Sequence, residues 1–94
     1  MTPQWIVKAH PIFSKDLSKL SPKDLHIFYK KKDKIRNNPE RGKHLSGGYN
    51  CYREPITSNI RLIYAIKGNI VLLLTIGTHD EAYKNYLKRF FSLE

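Results

Sequence analysis

The sequence predicts one small α+β domain, helical in its first half and sheet-forming in its second. Three observations predict it. Apolar residues recur at helical spacing between Phe13 and Ile35. Short runs rich in β-branched and aromatic residues, parted by turn signals, follow from Tyr49 to Ile76. At 94 residues and 40% hydrophobic, the chain has enough apolar surface for one core and no room for a second. The expected order is β-α-α-β-β-β-α in a single domain over residues 1–94, without internal repeat, linker or low-complexity stretch.

Trp5-Ile6-Val7-Lys8-Ala9 has the composition of a short strand, which His10-Pro11 breaks. Phe13, Leu17 and Leu20 then fall on one helical face. Ser21-Pro22 is a cap-type residue followed by proline in a first turn, and Asp24 suits the positive helix end. This second helix carries Leu25, Phe28, Tyr29 and Ile35 as its apolar stripe and runs to about Arg36. Asn37-Asn38-Pro39 stops it, since Asn tolerates a left-handed cap and proline cannot continue a helix. So tight a Ser-Pro link predicts an antiparallel helical hairpin.

Polar, glycine-containing residues from Pro39 to Gly48 predict a loop, and Tyr49 to Arg53 a strand that Pro55 ends. After a turn at Ser58-Asn59, residues 60–66 alternate as a half-buried strand. Lys67-Gly68-Asn69 is a hairpin turn, and the apolar run Ile70 to Ile76 is expected to be the central strand, covered on both faces and ended by Gly77. Thr78 with Glu81 forms a capping box for a last helix to about Phe91.

Lys and Arg number 17 against 8 Asp and Glu, a formal charge of +9. Such an excess favours a polyanionic partner: nucleic acid, an anionic membrane surface or an acidic protein. A single cysteine, Cys51, excludes an internal disulfide and a multi-cysteine metal site, and in a strand it is most often a small buried hydrophobe. No apolar segment follows the N-terminus as in a signal peptide, and the longest apolar run is far too short to span a bilayer, so a cytoplasmic protein is expected.

Several positions stand out chemically. Arg61 interrupts an apolar strand, so it either faces solvent or lies on a functional sheet face, where its planar fork suits a phosphate. His79 follows a helix cap, where free N–H groups attract anions; an ordinary surface histidine could also stand there. Tyr83, four residues on, shares its helix face and could touch the same phosphate, stack on a base, or simply pack on the sheet. His44 lies in the basic loop Arg41-Gly42-Lys43-His44, and Arg53 could approach Arg61 if the strands pair as neighbours. His10 and His26 are expected on the surface. Cutting RNA without a metal needs a proton acceptor for the 2′-hydroxyl, neutralisation of the phosphate and a proton donor for the leaving oxygen, and histidines with arginines can supply all three. The histidines lack a close metal-ligand spacing, and neither a glycine-rich nucleotide motif nor a Ser-His-Asp signature is present.

In order along the chain, Trp5-Ile6-Val7, Phe13-Ser14-Lys15-Asp16-Leu17, Asn38-Pro39, His44-Leu45-Ser46-Gly47, Tyr52-Arg53, Arg61-Leu62-Ile63-Tyr64 and Ile76-Gly77-Thr78-His79 resemble the RelE/ParE toxin superfamily, within it the RelE and YafQ-like mRNA interferases. The resemblance implies a small, mainly antiparallel sheet packed against a helical hairpin, and a metal- and cofactor-free endoribonuclease that cuts mRNA in the ribosomal A site. It implies a cognate antitoxin that wraps the basic surface, and a toxin that is monomeric when free. It assigns catalysis to His79, Arg61, Tyr83, His44 and Arg53. RNA contacts would fall to Lys30, Lys31, Lys32, Lys34, Arg36 and Lys43, although a lysine run on a helix is first of all a solvated face. The chain departs from the pattern at Pro55-Ile56 and Asn59, where YafQ-like members carry a histidine and an acid, and at Glu54-Pro55, where RelE has a second lysine. Two rival readings share the fold: a ParE-like inhibitor of DNA gyrase that needs no His79-type group, and an inactive homologue that only binds its partner.

Overall fold

Short-range signals set most of the elements. The computed structural model describes residues 5–45 and 50–92. Strand β1 (Ile6–Ala9) leads into helices α1 (Phe13–Ser18) and α2 (Pro22–Asn37). The Ser21 side chain caps α2 by accepting from the Asp24 N–H at 3.2 Å, and Pro22 occupies a first-turn position whose N–H would have no helical partner. The end of α2 differs from expectation. Asn38 adopts no left-handed cap but leaves the helical region at φ −152°, ψ 78°, as a residue before proline is pushed to do.

The expected loop after Pro39 contains a 3-10 turn, Pro39–Arg41, and a two-residue strand β2 (Lys43–His44), too short to show periodicity. Packing fixes this segment. The buried Tyr64 hydroxyl donates to the Pro39 carbonyl at 2.6 Å, and Gly42 passes so close that a Cβ there would lie 2.3 Å from the same hydroxyl. Strands β3 (Cys51–Pro55), β4 (Ile60–Lys67) and β5 (Ile70–Thr78) and helix α3 (His79–Phe91) complete the chain. The strand start expected at Tyr49 and the loop end at Gly48 lie outside the described residues.

The strands form one sheet in the order β1-β5-β4-β3-β2, antiparallel except where β1 runs parallel to β5. The middle strand is therefore β4 rather than β5, because β1 adds to the far side of β5. Nor is β4 half-buried. Leu62, Tyr64 and Ile66 meet Phe13, Phe28 and Ile35 of the helical hairpin, while Ile63 and Ala65 face α3 on the other side. Gly77 does not end β5, which continues to Thr78 opposite Ile60. At the tip of the β4–β5 hairpin, Gly68 supplies the positive φ (59°) that a two-residue turn needs.

A bulge interrupts the β4–β5 ladder: Ile63 faces Thr75, Tyr64 faces Leu73, and Leu74 is the extra residue. Leu74 and Thr75 consequently both turn toward α3. Leu74 packs in the cluster around Ala82, and the Thr75 hydroxyl donates to the Ala82 carbonyl at 3.0 Å.

β1 stops at Ala9, opposite Leu73, and leaves the next stretch of β5 without a strand neighbour on that edge. Side chains take over there. The Asp16 carboxylate accepts from the Ile76 N–H at 3.4 Å and pairs with Arg89, which also donates to the Leu74 carbonyl at 2.8 Å. This pair ties α1 to α3 around the sheet edge. His10, expected on the surface, is only 7% exposed, because the end of β1 lies against the last turn of α3 and its ring meets Ser92.

Replacing Arg89 with Ala strands a mostly buried carboxylate and a carbonyl, so stability should fall by about 2–4 kcal/mol. Urea unfolding would show it as a lower midpoint with an unchanged slope, and a cycle with Asp16→Ala should give a coupling above about 1 kcal/mol.

Candidate active site

The site is built around the start of α3. Thr78 and Glu81 form the expected capping box: the Thr78 hydroxyl accepts from the Glu81 N–H, and the Glu81 carboxylate accepts from the Thr78 N–H at 3.3 Å and hydroxyl at 2.7 Å. These bonds, the Thr78 hydroxyl's first and its N–H second, hold the Glu81 carboxyl below the usual carboxylate range. The cap sets the direction in which α3 leaves β5, and so places His79 on its first turn. The His79 side chain is 62% exposed, its ring stacked on Tyr83 with centroids 4.4 Å apart, and its Nδ1 lies 3.5 Å from an Asp80 carboxylate oxygen.

Strand register brings the rest. Arg53 of β3 pairs with Ile63 of β4, so it shares the sheet face that α3 covers. Its guanidinium donates to the Tyr83 hydroxyl at 2.9 Å. Lys43 of β2 stands directly opposite Arg53. Arg61 stands between Pro55 and Gly77 in the ladder, two residues from His79 in register, and its Nη1 donates to the carbonyls of Thr57 at 2.8 Å and Ser58 at 3.2 Å. Arg53, Tyr83 and His79 thus form a continuous chain of contacts, with Arg61 and Lys43 beside it on one sheet face.

His44 is not part of that group. It pairs with Tyr52, which stacks on Tyr64, so all three point to the helical-hairpin face, with the His44 ring edge-on to Tyr52 at 4.9 Å. It follows Lys43 directly in the strand, and that one step reverses the face. The α2 cations also divide. Lys31 donates to the Pro55 carbonyl at 2.7 Å and lies 3.7 Å from the buried Glu54, which Arg41 approaches from the other side at 3.6 Å. Lys32 lies over the Tyr29 ring, whereas Lys30, Lys34 and Arg36 are exposed, on the layer opposite α3. Glu54 therefore serves to fasten β3 to α2.

Two guanidinium groups, an ammonium, an imidazole and a phenol on one open face can neutralise a phosphate and move protons. Asp80, whose carboxylate lies beside His79, was not among the residues the sequence singled out. The Arg53–Tyr83 bond spans 30 residues and had no local signal. Among the described residues no His, Cys, Asp and Glu side chains gather into a set of three able to hold a metal ion, and no helix is long and apolar enough to cross a membrane.

No family model and no curated protein matches the sequence. Solved structures do match the fold. A mutant of the E. coli toxin RelE in the free state superposes with a TM-score of 0.78 at 22% identity, over 92% of this chain and 97% of that one. The toxin–antitoxin complex RelBE2 from Mycobacterium tuberculosis gives 0.72 at 21% identity, over 84% and 95%. The YoeB dimer from Staphylococcus aureus gives 0.67 at 15% identity, over 81% and 98%. The fold is that of RelE: a helical hairpin on one face of a mainly antiparallel sheet and a C-terminal helix on the other.

Cys51 shares the sheet face of Arg53 but is buried, and burial pushes its thiol up to about 11. With about one thiol in a thousand ionised at pH 8, Ellman's reagent should leave the native protein untouched and titrate one thiol in urea.

Proposed function

We propose that this chain is the toxin of a toxin–antitoxin pair and cuts mRNA as a metal-independent endoribonuclease in the ribosomal A site. The observation that supports this best is the contact chain Arg53–Tyr83–His79, half-buried at its first two members and exposed at His79, flanked by Arg61 and Lys43. His79 accepts the 2′-hydroxyl proton as that oxygen attacks phosphorus. Arg53 and Arg61 stabilise the charge gathering on the phosphate oxygens. The Tyr83 oxygen accepts from Arg53, which leaves the hydroxyl hydrogen to be given to the leaving 5′-oxygen. With His44 on the opposite face, Tyr83 takes the second proton-transfer role.

Lys30, Lys34 and Arg36 on the outer face of α2 contribute phosphate contacts to ribosomal RNA, which add affinity without sequence choice. The action belongs in the cytoplasm, where ribosomes and mRNA are. The toxin–antitoxin complexes among the neighbours of this fold support a cognate antitoxin; the free toxin is proposed to be a monomer. A second reading, a binding-only protein of the same fold, draws support from Arg61, whose Nη1 already serves turn carbonyls.

The test is cleavage of mRNA by the purified chain in a translating extract, beside free mRNA. Cuts within codons that require ribosomes are expected. His79→Ala should slow them by about 10²–10⁴-fold and Arg53→Ala by about 10²–10³-fold. His44→Ala should leave them unchanged. Cutting that survives His79→Ala at full rate overturns the mechanism. A folded chain that cuts nothing turns the assignment to a binding-only protein, with inhibition of DNA gyrase the next assay.

A further inference from the structure

His10 is joined to Ser92 across 82 residues of sequence, at the one place where the end of β1, the start of α1 and the end of α3 meet. Its backbone N–H donates to the Leu73 carbonyl of β5, which seats the residue, and its side chain then fills the corner. The Ile12 N–H donates to His10 Nδ1 at 3.1 Å. His10 Nε2 lies 2.9 Å from the Ser92 hydroxyl oxygen, and that hydroxyl donates to the Arg89 carbonyl at 3.0 Å. Counting protons fixes the tautomer. The single hydroxyl proton of Ser92 is spent on Arg89, so the proton between ring and hydroxyl belongs to Nε2, and Nδ1 is the bare acceptor that Ile12 requires.

We propose that His10 is a proton-operated clasp, which when neutral fastens the last turn of α3 to the β1–α1 junction and when protonated releases it. A second ring proton would sit on Nδ1 and point at the Ile12 N–H, turning a hydrogen bond into a clash of two donors. The surroundings offer the cation little. Arg89 of α3 repels it, Asp16 of α1 attracts it but is already bound to Arg89, and β5 contributes no titratable side chain between Ile70 and Thr78. Lys8 of β1 is exposed and adds only like charge. Burial first, and Arg89 second, hold the imidazole below the usual histidine range, against a smaller opposite pull from Asp16. The unfolded chain therefore binds this proton more readily than the folded one. The clasp's contribution is complete above the ordinary histidine range and is lost as pH falls through the lowered folded value.

The released segment is local. The far end of α3 stays anchored by the Thr78–Glu81 box and the Thr75–Ala82 bond, and Arg89 by Asp16 and the Leu74 carbonyl, so His79 and Tyr83 keep their places while the turn beyond Arg89 loosens. The inference stands apart from the nuclease reading and needs no RNA to test.

Nitrogen NMR of the imidazole and amide hydrogen exchange on the whole chain, at about pH 7.5 and about pH 5 and corrected for intrinsic rates, decide it. The neutral ring should carry its proton on Nε2. In acid, protection of the Ile12 and Ser92 amides should drop by roughly tenfold or more relative to Leu62 and Leu73 in the core. His10→Asn keeps an acceptor for Ile12 without a titrating group, and the acid-dependent drop at Ile12 should vanish. Ser92→Ala should show weak protection of the last turn at both pH values. Protection that ignores pH in the unaltered chain, the same acid drop in His10→Asn, or a ring proton on Nδ1 in the neutral state would each overturn the clasp.

Discussion

One helix cannot cover a five-stranded sheet. An α-helix with its side chains is about 10–12 Å across, and strands are spaced about 4.8 Å apart, so a single helix shields roughly two of them. The hairpin of α1 and α2 closes one face, while the other has only α3, which lies on β5 and β4. Beyond the buried Cys51, β3 and β2 are left uncovered on that face, and there stand Arg53 and Lys43. Polar side chains at these positions satisfy the open half of the face, and the α3 flank supplies Tyr83 and His79 as a wall beside them. The basic cluster follows from a shortage of cover.

That shortage also explains why the excess positive charge divides. On the hairpin side, cations either stay in water, as Lys30 and Lys34 do, or are spent inward, as Lys31 and Arg41 are on Glu54. Glu54 and Arg53 are neighbours in one strand and point oppositely, so a single strand is fastened from one face and presents its guanidinium on the other. Anything that loosens the Glu54 contacts acts on Arg53 through the backbone they share.

The sequence was most legible where a signal is local. Ser21-Pro22, the Thr78–Glu81 box and the Gly68 turn place their elements within a residue or two, because each rests on bonds between near neighbours. Arg53, Arg61, Tyr83 and His79 could be named by residue type and position, but not brought together, since strand register decides which face each takes. The placement of His44 away from the others was hidden for the same reason: in a strand of two residues nothing in the pattern tells one face from the other. The position of β4 in the middle depends on β1 pairing with β5 from the far end of the chain, and the burial of His10 on a contact 82 residues away. Composition carries no trace of either.

The exchange of strand neighbours for side chains beyond Ala9 determines how this sheet can grow. Asp16 and Arg89 already hold the outward N–H of Ile76 and the outward carbonyl of Leu74, so an arriving strand would find that stretch of β5 sealed and would have to break an ion pair to add there. At the opposite margin β2 offers a template of two exposed residues, one of them a lysine. Among the described residues, the outer side of β1 is the longer open edge, where Val7 and Ala9 turn their backbone groups away from β5. Extension of the sheet by another chain is therefore polarised: the fold admits it past β1 and obstructs it elsewhere.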